Sequence, residues 1–406
     1  MLNIKSFFGN VGIVFFGTLV SQVVNIIALP IITSIYGTKG FGVYALILGL
    51  TFMLSPASTL KYDYGLYTTH DQVKRDKLTS LSFVLCFIFG LFLLAVHYVS
   101  PGFINFLLLD DSYSLENVEM FLPLLLISIS GFQVVNSNLF VNSKFTLASI
   151  VKVVEVLFFI AFAYFMKENK NGLIFSKMIS CGIIVLVFLF YFINKINFSK
   201  IKSTFIEFKE QPFYLFPAHT LNAFSREIPL IFLGYFYGIE VAGLFALSNR
   251  IIRLPITFIG QAISDVFRTK TMDIIQSGEK LTNIYKNTIL SLSVMSVVIL
   301  FLIHLLIEFL IFNFFDAEWG NTVSIIKTIS FIGALQLIAN PLGNVFIVTK
   351  NQKLDLIWQV ILFVLISLSL VIGGLYYDFN TCIKLYTISY CIGYVINIIM
   401  SYKIAK

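Results

Sequence analysis

Three arginines sit where arginine is expensive. Arg226, Arg250 and Arg253 fall in the middle of long apolar runs, and the last two are three residues apart. On a helix that spacing puts both guanidiniums on one face. A charge at the centre of a bilayer costs at least about 2.5–3.5 kcal/mol on insertion scales. Like charges on one face do not relieve each other. The chemistry that suits them is recognition of an anion, because the guanidinium fork matches carboxylate and phosphate oxygens. Glu227 offers a second reading. Neighbours in sequence point apart on a helix, but Glu227 paired with Arg250 across two spans would make the charges structural.

Further polar side chains lie within the apolar runs. Lys177 and Lys327 are near the outer ends of their runs and can snorkel to the interface. Lys152, about one turn from an inner end, either does the same or joins the arginines as an anion contact. Glu155 is one turn from Lys152 and pairs with it on one reading; on the other it binds a coupling ion. His304 and Glu308 have the i,i+4 spacing of a pair that carries a coupling proton, or of a satisfied polar pair near the outer surface. Thr18, Ser21, Gln22 and Asn25 share one helical face. Asn25 lies at the depth in its half that Arg226 has in the other. That face turns toward a hydrophilic cleft or toward neighbouring helices.

The elements that hold these residues follow from composition. The chain is 406 residues, 58% hydrophobic and only 12% charged. Soluble domains carry about 25% charged residues, and no soluble core buries this much apolar surface. Lipid is the solvent. A helix needs about 20 residues to cross it, and spans this apolar satisfy their backbone as helices. Twelve spans are expected: 9–35, 43–60, 79–99, 119–141, 147–166, 173–194, 213–236, 242–263, 286–311, 322–347, 355–376 and 383–402. The long connections 61–78, 195–212 and 264–285 are polar. With the N-terminus inside, eighteen Lys and Arg fall in inner segments and four in outer ones. That asymmetry puts both termini in the cytoplasm. No cleavage site follows the short basic start, so the first span stays as a helix.

The chain also repeats itself. YGTKGFGVYAL at 36–46 returns as YGIEVAGLFAL at 237–247, and DKLTSL at 76–81 as EKLTNI at 279–284. The first echo falls in the first outer turn of each six-span half, the second at the start of each third span. Six is even, so the halves are parallel repeats about an axis along the membrane normal. Gly37 and Gly238 supply the positive φ of a tight turn. The expected fold is all-α and integral to the membrane: twelve transmembrane helices in two parallel six-helix bundles, residues 1–200 and 201–406, around a central cavity.

Several chemistries are excluded. There is no phosphate-binding GxxxxGK[ST] loop, no HExxH and no metal-ligand spacing. Cys86, Cys181, Cys382 and Cys391 are scattered through apolar stretches and frame no disulfide or metal site. No cofactor is expected. The net charge of +7 is spread between spans rather than clustered for nucleic acid. The largest outer loop, about 100–118, is short for a membrane-embedded glycan-modifying enzyme, which weakens that alternative without excluding it; the expectation is a transporter rather than an enzyme.

GNVGIVFFGTLVSQVVNIIALPIITSIYGTKGFGVYAL, starting at Gly9, resembles the opening of the Wzx-type polysaccharide-export flippases. These belong to the multidrug/oligosaccharidyl-lipid/polysaccharide exporter superfamily. GLFALSNRIIRLPITFIGQAISDVF (243–267) is similar to the start of that family's second half. The resemblance implies a flippase that carries an undecaprenyl-pyrophosphate-linked oligosaccharide, a unit of O-antigen or a similar surface glycan. The step crosses the bacterial inner membrane by alternating access coupled to H+ or Na+. It implies membrane lipid and glycan-assembly proteins as partners. Arg250, Arg253, Arg226 and Asn25 would line a cationic cavity, with Lys152 as a further contact and Glu227, Glu155, Glu308 and His304 as ion-coupling candidates. This sequence departs from the family in having no basic residue in its first two spans. A multidrug or small-solute antiporter of the same superfamily is the alternative; deep carboxylates rather than arginines would mark it.

Overall fold

The structure is a computed structural model of the whole chain, and it describes residues 4–69, 71–99, 118–192, 201–209, 211–277, 280–349 and 351–406. Helices account for the architecture, with no strand among the described residues. Residues 100–117 of the expected outer loop and all of 193–200 lie outside them, as does Glu279 of the second echo.

The duplicated turns come first because they set the topology. Helix α1 (Ile4–Thr59) is broken at Gly37, whose φ of 63° lies in the left-handed region. Gly238, with φ 95°, separates α8 (Phe216–Tyr237) from α9 (Ile239–Gln276). Both are the glycines expected to turn the chain, and a Cβ at either would be strained. The paired tyrosines lock these turns. The Tyr36 hydroxyl donates to the Ala163 carbonyl at 2.7 Å. Tyr237 donates to the Gly373 carbonyl at 2.9 Å. Ala163 lies near the end of the fifth span of its half, in α5 (Phe145–Phe165), and Gly373 near the end of its counterpart, α13 (Gln352–Tyr376). The repeated sequence therefore makes the same tie twice.

Among the described residues, ten helices are long and apolar enough to cross a membrane. The first of them, broken at Gly37, supplies two arms. Helix α8 is not among the ten; it carries His219, Thr220, Asn222, Ser225, Arg226 and Glu227. Counting both arms of α1 and adding α8, the described residues hold twelve long helical segments, as expected from the sequence, in a multi-pass membrane protein.

Connections depart from expectation where the chain leaves the apolar layer. Residues 264–276, read as loop, continue α9 as helix, and α10 (Thr282–Phe314) begins earlier than expected. Outside lipid a helix needs no apolar run, so hydropathy alone misplaces its end. The described residues of 61–78 form a short α2 (Tyr62–Gly65), a 3-10 turn and the first two turns of α3 (Gln72–Val99).

The chain divides into two compact units, Met1–Glu227 and Ile228–Lys406. In the first, α1 packs on α5, α3 and α4 (Val118–Val141), and α6 (Gly172–Phe192) closes against α4 and α5. A core of Phe83, Val134, Leu139, Ala148 and Ile184 joins them. Helix α7 (Ile201–Glu207) folds back onto α3. There Tyr62 donates to the Phe205 carbonyl at 2.9 Å and Lys74 meets Glu207 at 2.6 Å. In the second unit α11 (Thr322–Leu342) is the enclosed helix, flanked by α9, α10 and α14 (Phe379–Ala405), with α12 (Asn344–Val348) after it. Helix α10 turns Val297, Phe301, Leu305 and Phe309 outward, each half or more exposed, as a lipid-facing stripe.

Candidate functional site

The deep charges divide between the two units. In the first, Arg226 does pair with its sequence neighbour. Its Nε lies 2.6 Å from Glu227 Oε1. The expectation that neighbours on a helix point apart fails here, because the long arginine side chain reaches around the backbone. Pro229 follows two residues on and cannot donate to the Ser225 carbonyl, which loosens the helix at this point. The Arg226 guanidinium also sits 5.8 Å from the centre of the Phe52 ring.

Beside this pair lies a residue the sequence reading left in a solvated connection. Lys61 follows directly on α1, is 9% exposed, and takes a left-handed backbone with φ 61°. Leu60 before it has φ 47°. Two successive non-glycine residues in this region are strained. The Lys61 ammonium lies 4.9 Å from the centre of the Tyr64 ring, and that ring lies 4.6 Å from the His219 ring of α8. Burial pushes the Lys61 pKa down; Asp63 opposes this and the Arg226 charge adds to it. Asp63, itself buried, accepts from the Thr59 hydroxyl at 2.7 Å. Lys61, His219 and Arg226 thus gather around aromatic rings at the C-terminal end of α1. The signal in the sequence was the run Tyr62, Tyr64 and Tyr67, too aromatic for a free loop.

The remaining first-unit candidates fall into two clusters. Lys152 donates to the Thr18 hydroxyl at 3.3 Å and lies 5.0 Å from the Phe140 ring centre. It has no carboxylate partner among the described residues. The polar face of α1 is directed inward here: Ser21 is buried and donates to the Thr18 carbonyl, Asn25 is half-buried, and Ile26 and Ile27 face out. Glu155 does not pair with Lys152. It accepts from Lys177 of α6 at 2.6 Å, with Ser180 at 3.2 Å and Cys181 at 3.6 Å on the same oxygen. Lys177, expected to snorkel, is held inward by this bridge. Burial explains the choice: an ammonium and a carboxylate this deep are tolerated only together.

In the second unit, Arg250 and Arg253 are both half-buried on α9. Arg253 has no carboxylate partner among the described residues. Its charge acts on the phenol of Tyr394 in α14, which stands in a ladder with Tyr390 and Tyr386 at ring separations of 5.3 and 5.4 Å. His304 and Glu308 do not pair. Glu308 takes the Lys327 ammonium of α11 as its partner, so Lys327 is not simply snorkelling, and His304 Nδ1 lies 3.0 Å from the Leu300 carbonyl. Three of the four ion-coupling candidates are therefore carboxylates already bridged to a cation, and the fourth is bonded to its own helix.

Residues 31–324 match the family described as polysaccharide biosynthesis protein. The chain belongs to this family. No curated protein sequence matches it. Among solved structures, the lipid II flippase MurJ in an inward closed conformation is similar, with a TM-score of 0.73 at 16% identity over 96% of this chain and 87% of that one. A multidrug resistance MATE family transporter of the MOP superfamily, inward-facing, aligns with a TM-score of 0.65 at 14% identity over 96% and 93%. A MOP superfamily transporter from Pyrococcus furiosus, described as having a binding pocket of reverse polarity, aligns at 0.61 and 14% over the same shares. At these identities the likeness is one of fold. This family member shares the twelve-helix fold of these structures.

Proposed function

We propose that the protein is a flippase carrying a pyrophosphate-linked lipid oligosaccharide, a surface-glycan unit, across the bacterial inner membrane with both termini in the cytoplasm. The observation that carries this reading is Arg253. It is a mid-span guanidinium, half-buried, with no carboxylate partner among the described residues, in a chain of the polysaccharide biosynthesis family. Such a charge is stable in a membrane when an anion visits it. A pyrophosphate provides that anion and fits the fork geometry of arginine. An exporter of cations needs uncompensated deep carboxylates instead; Glu155, Glu227 and Glu308 are each bridged to a cation.

Arg226, Arg250 and Arg253 contact the pyrophosphate, and Asn25 and Lys152 contact the sugars or the bridging oxygens. The two six-helix halves, 1–200 and 201–406, alternate access around that cargo. Coupling follows from the Arg226–Glu227 bridge. Cargo phosphate competes for the guanidinium, and the released Glu227 carboxylate then takes up a proton or sodium ion. Glycan-assembly proteins supply the loaded lipid. The experiment is surface-glycan display in cells carrying Arg253→Ala or Arg253→Lys, with membrane insertion checked by blotting. Loss in the first and partial retention in the second support the reading. Full display with Arg253→Ala refutes it.

A further inference from the structure

Three tyrosines follow one another past the C-terminal end of α1, and the fold treats them differently. Tyr62 is fully buried with Leu66, Leu78 and Leu81, and its hydroxyl donates to the Phe205 carbonyl at 2.9 Å. Tyr64 and Tyr67 are 41% and 55% exposed. Their ring centres are 6.1 Å apart with planes at 57°, so the pair forms an open aromatic corner. Tyr64 is its back wall, held by the Lys61 ammonium at 4.9 Å and the His219 ring at 4.6 Å. Tyr67 is the open side, and its hydroxyl has no hydrogen-bond partner among the described residues. The mount is rigid. Thr68 donates to the Gly65 carbonyl at 2.8 Å and Arg75 Nε to the Thr69 carbonyl at 2.9 Å, which closes the turn on both sides of Tyr67. The successive left-handed residues Leu60 and Lys61 bring the chain off α1 into this turn. Strain of that kind persists where the surrounding structure fixes side chains for use. Helix α8 relates the corner to the deep charge of the same unit. His219 and Arg226 are seven residues apart and share a helix face, about 10 Å along the axis.

We infer that the Tyr64–Tyr67 corner recognises the first sugars of the cargo, with Tyr67 stacking on the apolar face of a pyranose ring and Tyr64 as the positioning residue. This rests on the flippase reading, in which Arg226 contacts the pyrophosphate. The first sugars on that pyrophosphate can cover the two helical turns between Arg226 and His219. A pyranose presents a face of C–H bonds with a slight positive charge, and the face of a tyrosine ring is negative. The corner also leaves the sugar hydroxyls in water, which spares their desolvation. An exposed tyrosine serves elsewhere as an interfacial anchor. An anchor needs neither a strained approach nor a buried lysine behind it, and both are present here.

The test is native mass spectrometry of the purified full chain, titrated with bare undecaprenyl pyrophosphate or with undecaprenyl-pyrophosphate N-acetylglucosamine. The wild type binds the sugar-bearing lipid more tightly. Tyr67→Leu lowers that preference about 2–10-fold, the range one stacked ring supplies, and binds the bare lipid as the wild type does. Tyr67→Phe keeps the preference, because the ring face and not the hydroxyl makes the contact. Tyr64→Leu lowers the preference too, with bare-lipid binding again unchanged. Arg226→Ala is the control for the flippase reading and weakens both lipids alike. A wild type that binds the two lipids equally overturns the corner and leaves the flippase reading standing. So does an unchanged preference in Tyr67→Leu, or an equal loss of both lipids in that variant, which is the mark of an interfacial anchor. A wild type that binds neither lipid overturns the flippase reading itself, and the corner with it.

Discussion

Replacing Glu155 with Gln tests whether this buried carboxylate is a strut or a coupling site. Its side chain is 7% exposed and accepts from Lys177, itself 20% exposed, at 2.6 Å. The substitution keeps the shape and the Ser180 contact while leaving the ammonium without its counter-charge. Breaking one partner of a buried pair costs about 3–5 kcal/mol, or about two to three and a half powers of ten in the folding equilibrium at 1.4 kcal/mol each. Lys177→Met strands the carboxylate and costs a similar amount. The double variant removes both charges and returns to within about 1 kcal/mol of the wild type, since an apolar replacement of a whole pair is often neutral. The assay is unfolding in detergent micelles, read by circular dichroism for the four members of the cycle. Additive losses, or a Glu155→Gln protein as stable as the wild type, refute the strut. A stable Glu155→Gln protein whose transport has lost its pH dependence would instead make Glu155 the coupling site.

Other consequences follow from single contacts. Gly37→Ala and Gly238→Ala each place a Cβ at positive φ and destabilise by about 1–2 kcal/mol in the same unfolding assay. Lys61→Met changes the pH profile of stability. Because burial depresses the folded pKa of Lys61, the unfolded chain binds more protons between the depressed and the ordinary value, and wild-type stability rises with pH through that window. The methionine variant is more stable below it and lacks the rise; an unchanged profile means the ammonium is solvated. Lys327→Gln, which removes a partly exposed pair, shifts stability by no more than about 1 kcal/mol. Cysteine labelling at Lys170 reads outside and at Lys209 inside; the reverse overturns the orientation.

What the sequence revealed divides by the range of the interaction. The turns at Gly37 and Gly238 were legible because positive φ is a local demand that only a few residue types meet. The spans were legible because lipid imposes a length and a polarity on each helix separately. Pairings were not. Lys177 finds Glu155 across 22 residues and Lys327 finds Glu308 across 19, whereas the i,i+3 and i,i+4 spacings suggested Lys152 with Glu155 and His304 with Glu308. Helical periodicity gives which residues share a face, but the neighbouring helix decides what that face meets. Lys61 was missed for a related reason. A lysine just past an apolar span reads as solvated, and its burial depends on α8 returning His219 and Arg226 to the same place more than 150 residues later.

Translocation in proteoliposomes tests the central claim most directly. Purified protein is reconstituted with a fluorescent undecaprenyl-pyrophosphate oligosaccharide, and the fraction reaching the opposite leaflet is measured for the wild type and Arg250→Ala/Arg253→Ala. The account predicts protein-dependent translocation that the double variant loses while remaining folded in the bilayer. Equal rates in the two proteins would contradict it, as would a wild type that moves no more lipid than empty vesicles.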